Sequence, residues 1–162
     1  MSKNNQPEAP EVDVNKLVEE SDTGGRNPGP VMSRVLLGVA LAWSLFQLWI
    51  ASPLPFSLGI FVLNDTESRS IHLSFAVFLA FMAYPAFKRS PRDHIPITDW
   101  FFAIVGTFCA AYLFVFYREL ATRPGQPTTF DIAVATVGVV FLLEATRRVL
   151  GLPMVIVATV FL

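Results

Sequence analysis

Glu144, Arg147 and Arg148 stand in "FLLEATRRVLGLP", Phe141 to Pro153, directly behind a long apolar run. On a helix the carboxylate faces both guanidinium groups, at i+3 and i+4, with the acid on the favourable N-terminal side. Counted from Asp131, Glu144 lies about 20 Å along such a helix and Arg148 about 26 Å, in the last turn and a half. Two cations suit the negative end of a helix dipole, and their long stems let the heads reach a phosphate layer. One reading is a simple anchor at the end of a spanning helix. The sharper one is a lock: a Glu144 held partly in hydrocarbon costs on the order of a few kcal/mol when unpaired. It then needs a dedicated partner, which is Arg147, Arg148 or a residue on a neighbouring helix or domain.

The remaining candidates are scattered. Thr128 and Asp131 have the S/T-x-x-D/E spacing of a capping box, and Asp99 opens an apolar run where a helix N-terminus favours negative charge. His72 begins one apolar run and His94 lies in a loop at the far end of it, so about 30 Å of hydrocarbon keeps them from sharing an ion. Each reads as an interfacial hydrogen-bonding residue. Cys109 is the single cysteine and lies inside an apolar run, which excludes an internal disulfide and any CxxC site. "NDT" at Asn64 to Thr66 fits the glycosylation pattern but sits close to the membrane. There is no HExxH, no nucleotide-binding loop and no nucleophile beside a base, so no enzymatic activity, cofactor or metal is expected.

The elements that carry these residues are oily. Of 162 residues 53% are hydrophobic and 15% charged, too apolar a balance for an ordinary soluble domain. Twelve Lys and Arg against thirteen Asp and Glu leave no basic excess for nucleic acid. The predicted fold class is all-α: a multi-pass transmembrane helical bundle with four spans, the start of a fifth and a disordered N-terminal tail. The tail covers 1–33, with six acids, three bases and almost no large apolar groups before Pro30. It has no apolar stretch of signal-peptide type. A four-helix scaffold domain covers 34–151, with spans near 35–51, 71–87, 97–117 and 130–150. Gly151 and Pro153 close the fourth span, and 152–162 begins a further helix that is cut, as in the front part of a longer polypeptide.

Charge predicts orientation. With a cytoplasmic N-terminus the inner side holds Arg26, Arg34, Lys88, Arg89, Arg92, Arg147 and Arg148, and the outer side only Arg69, Arg118 and Arg123. Trp49 and Tyr117 then fall at the outer boundary, Tyr84 and Trp100 at the inner. No span is interrupted mid-membrane by Gly or Pro, and no ionisable pair meets at the midplane, so a solute site or proton relay within these helices is not expected. Gly38 with Ala42, Ala76 with Ala80, and Gly106 with Ala110 have the small-xxx-small spacing that lets helices approach closely.

"RSIHLSFAVFLAFMAYP", "IPITDW", "RPGQPTTFD" and above all "LEATRRVLG" resemble the N-terminal portion of TRAP transporter fused permeases of the 4TM/12TM type, which work with TAXI-class binding proteins. The resemblance covers about Leu41 to Leu162. It implies a scaffold region in a bacterial inner membrane that braces a large permease region of the same polypeptide. That region would hold the sodium and substrate sites. The substrate, an organic anion such as a carboxylate, would arrive on a periplasmic binding protein. For Glu144, Arg147 and Arg148 the implied role is structural or interfacial, with membrane lipid and the permease region as partners; the residues themselves give Asp131, His72 and Asp99 a structural or interfacial role. The alternative from the residues alone is a free-standing four-helix membrane anchor or assembly subunit.

Overall fold

A computed structural model describes residues 24–26, 28–87 and 90–162. All regular structure among them is helical: α1 Pro30–Ala51, α2 Leu54–Leu58, α3 Asp65–Ala83, α4 Ile97–Val115, α5 Tyr117–Thr122, α6 Thr129–Leu150 and α7 Leu152–Val160. The expected tail from 1 to 23, with its short "NKLVEES" stretch, lies outside the described residues, as do Lys88 and Arg89.

Local chemistry moves several boundaries. The first helix begins at Pro30 and not near 35, because proline at the first position needs no N–H partner and is pre-set for helix. Residues 30–33, assigned to the tail, are therefore its first turn. The second apolar helix begins at Asp65 and not at 71. Asn64 Oδ1 accepts from the Glu67 N–H at 2.9 Å, and the Glu67 carboxylate accepts from the Asn64 N–H at 3.0 Å. The "NDT" asparagine is thus a helix cap. The same helix stops at Ala83, short of 87, because Tyr84 precedes Pro85 and is extended. In α4 the Ser70 hydroxyl accepts from the Phe114 N–H at 3.1 Å and donates to the Ala110 carbonyl at 2.7 Å. A side chain inserted there loosens the ladder, and the helix ends at Val115 and not at 117. Thr128 and Asp131 form a full capping box at the start of α6. Gly151 at φ 83° ends it, and Pro153 then opens α7.

Three helices, α1, α4 and α6, are long and apolar enough to cross a membrane. The charged first turns of α3, with Asp65, Glu67 and Arg69, keep it from qualifying by composition.

Helix α3 lies at the centre, packed against α4 above all and flanked by α1 and α6. Val77, Phe81 and Met82 of α3, Ala103 of α4 and Ala145 of α6 form the core. Phe81, Phe102 and Phe141 meet with centroids 5.5 to 5.9 Å apart at tilted or edge-on angles, the geometry that aromatic quadrupoles favour. Gly106 makes this possible: a methyl there would stand 2.9 Å from Val77 Cγ1 and 3.1 Å from Phe81. Helix α1 buries no residue fully.

Candidate functional site

The first turn of α4, the last turns of α3 and α6, and the segment before α1 meet at one end of the bundle. Asp99 is the hub, with its side chain 3% exposed. One carboxylate oxygen accepts from Arg148 Nη1 at 2.8 Å, and the other accepts from Arg26 Nη2. Both arginine side chains are fully buried. Such a pair withstands burial only if the remaining donors are also satisfied. Arg26 meets part of this requirement at the broken end of α3, whose last carbonyls have no helical partner, while its Nε has no acceptor among the described residues. Its Nη1 donates to the Phe81 and Met82 carbonyls at 3.5 and 3.4 Å, and its backbone N–H to the Ala83 carbonyl at 2.8 Å. The Arg148 guanidinium lies 4.8 Å from the Phe81 ring centre and 5.6 Å from that of Phe102. Its Nη2 has no acceptor among the described residues.

Glu144 extends the network outward. It accepts from Arg147 Nε at 2.7 Å, Arg147 Nη2 at 2.8 Å and Arg148 Nε at 2.9 Å. Its side chain is 30% exposed. Arg147 also donates to the Ala86 carbonyl at 2.8 Å and stacks over Phe87. The cluster thus joins four chain segments through three arginines and two carboxylates. Both acids are pinned by guanidinium groups, which do not release protons, so the cluster locks geometry.

A smaller network closes the other end. Asp131 accepts from the Tyr112 hydroxyl, from Arg123 Nη2 at 3.2 Å and from the Thr128 N–H at 2.7 Å. Hydrogen bonding to Asp131, with Glu119 nearby, lifts the Arg123 guanidinium above its ordinary range.

Of the sequence candidates, Asp99, Glu144, Arg147 and Arg148 come together, Asp131 stands at the opposite end, and His72 is separate from both. His72 Nδ1 accepts from Trp43 Nε1 of α1 at 3.2 Å and contacts the Gln47 amide. His94 is in the exposed loop before α4, paired with Asp93. Among the described residues no group of three His, Cys, Asp or Glu side chains could hold a metal. Sequence reasoning missed Arg26, Tyr112 and Ser70. Arg26 sits in a polar Gly- and Pro-rich stretch where nothing in composition marks it. Tyr112 could have been paired with Asp131 only by knowing how α4 and α6 align. In comparisons with known proteins, no protein family, curated protein or solved structure matches the chain.

Proposed function

We propose that this chain is the membrane scaffold portion of a TRAP-type secondary permease. In this reading the whole transporter takes up organic anions, carboxylates above all, by sodium-coupled symport with a periplasmic TAXI-type binding protein. The bundle sits in a bacterial inner membrane with its N-terminus cytoplasmic. Helix α3 is the fourth span. Arg26, just before α1, and Asp99, in the first turn of α4, meet at one end, so the chain must return between them, and α3 at about 28 Å is long enough to carry it.

The observation that carries the reading is that both buried carboxylates among the described residues, Asp99 and Asp131, are paired with arginines of the same chain, Asp99 beside a core of Phe81, Met82 and Ala103. Such a bundle holds a neighbour in place and leaves solute and sodium chemistry to another region. The test is uptake by the complete polypeptide with its binding protein in vesicles. Accumulation of a carboxylate that requires an inward sodium gradient is expected, and no uptake under that gradient would refute the reading.

A further inference from the structure

We propose that the segment joining α1 to α3, Ser52 to Asn64, is an interfacial anchor. It lies in the boundary between lipid headgroups and acyl chains, at the end of the bundle opposite Asp99, and does not project into water. The first observation is charge. No ionisable side chain occurs between Arg34 and Asp65, so the segment continues the composition of α1 beyond the end of that helix. The connection from α3 to α4 carries Arg92 and Asp93, and that from α4 to α6 carries Arg118, Glu119 and Arg123, as chain in water does. Here the exposed side chains are Phe56, Leu58, Ile60, Phe61 and Val62, with Phe56 at 75%.

The fold fixes the level of the segment. Only Ser52 and Pro53 separate α1 from α2. Phe56, Phe61, Val62 and Leu63 then enclose a small cavity of about 90 Å³ with Ile50 of α1 and Ser68 of α3. Ile50 is next to the last residue of α1, and Ser68 stands in the first turn of α3. The chain therefore folds back to within one turn, roughly 5 Å, of both helix ends. Helix α1 is of membrane length, about 33 Å. It outspans a hydrocarbon core of about 30 Å and ends in the headgroup layer, which is itself about 5–7 Å deep on each side. The segment stays at that depth.

Its polar groups are turned away from lipid. Pro53 and Pro55 have no N–H to satisfy. The Ser52 hydroxyl donates to the Trp49 carbonyl at 2.8 Å and accepts from the Leu54 N–H at 3.3 Å. The Ser57 hydroxyl donates to the Pro53 carbonyl at 2.8 Å. A backbone needs such internal partners where water is scarce. Phe61 gives a second sign. Its φ of 53° lies in the left-handed region that a β-carbon disfavours, yet its ring is 62% exposed. Holding a phenyl ring outward in a disfavoured conformation gains nothing in water, whereas in the boundary layer lipid buries the ring. Lipid is preferred to a protein partner by continuity: Leu41, Leu45 and Leu48 are exposed along the half of α1 nearest the segment, on a helix of membrane length. The anchor gives α1, which buries no residue fully, a fixed depth.

The inference needs α1 to cross a membrane and does not need the molecule to transport anything. A water-sensitive nitrobenzoxadiazole label is attached at Phe56→Cys or Ile60→Cys of the full-length polypeptide, in a background with Cys109→Ala and no other cysteine. Gln126→Cys, exposed at the same end, is the reference. In vesicles of phosphatidylcholine and phosphatidylglycerol, lipid spin-labelled near the headgroup should quench both segment labels. Iodide should quench them about fivefold less than the label at Gln126→Cys. With the label at Phe56→Cys, Phe61→Asp should raise iodide quenching towards the Gln126→Cys level, and Phe61→Leu should leave it unchanged. Only protein that elutes monodisperse is read, and the two labels without a second substitution test the placement by themselves. Equal iodide quenching at all three positions would put the segment in water. Protection from iodide without quenching by spin-labelled lipid would mean that protein covers it, and stronger quenching from lipid labelled near the chain end would sink it into the hydrocarbon. Each of these, or indifference to Phe61→Asp, overturns the proposal.

Discussion

Asp99 takes one arginine from before the first helix and another from the end of α6, so removing its charge strands two buried guanidinium groups at once. Breaking a buried pair in this way costs about 3–5 kcal/mol. Asp99→Asn should therefore lower the thermal midpoint in micelles sharply. Glu144→Gln should cost about 1 kcal/mol or less, since its carboxylate is partly solvated and Arg148 keeps Asp99. A larger loss at Glu144 than at Asp99 would invert this ranking. The Glu144, Arg147 and Arg148 contacts were legible because helix spacing alone sets them. The hub was not: Arg26 and Asp99 are 73 residues apart, and no local rule links them.

At the scale of elements, the three small-residue pairs look alike in the sequence and fare differently in the fold. Gly106 sits where α3, α4 and α6 converge, and a methyl there would strike Val77, Phe81 and Phe141 at 2.9 to 3.2 Å. Gly38 faces open space. Gly106→Ala should then cost about 1–3 kcal/mol through overpacking. Gly38→Ala should be neutral, or stabilise by up to about 1 kcal/mol through helix propensity. Thermal unfolding of both variants in the same detergent checks the contrast, and equal midpoints would mean that α4 does not approach α3 so closely. Helix existence was readable from the apolar runs. Their ends were decided by a capping box at Asn64, a proline after Tyr84 and the Ser70 hydroxyl at Phe114, and of these only the first two have a local sequence signature.

For the whole molecule, the question is whether α3 crosses with α1, α4 and α6. Composition alone does not include it, because Asp65, Glu67 and Arg69 crowd its first turns. Packing argues the other way: α3 supplies Val77, Phe81 and Met82 to the core, so much of its surface is shielded by protein, and its charges sit at one end. The contacts at the two ends also call for an alternating path, since Arg26 and Arg148 meet Asp99 at one end while Tyr112 meets Asp131 at the other. Three single cysteines in a Cys109→Ala background separate the possibilities. Thr66→Cys precedes most of α3, Asp93→Cys follows it, and Gln126→Cys lies in the loop before α6, all at exposed positions. A membrane-impermeant maleimide applied to intact cells should label Thr66→Cys and Gln126→Cys, and reach Asp93→Cys only after permeabilisation. Labelling of Thr66→Cys and Asp93→Cys from the same side would mean that α3 does not cross. The reverse pattern at all three would keep the four-helix path and turn the molecule over, against the orientation expected from the excess of arginine and lysine.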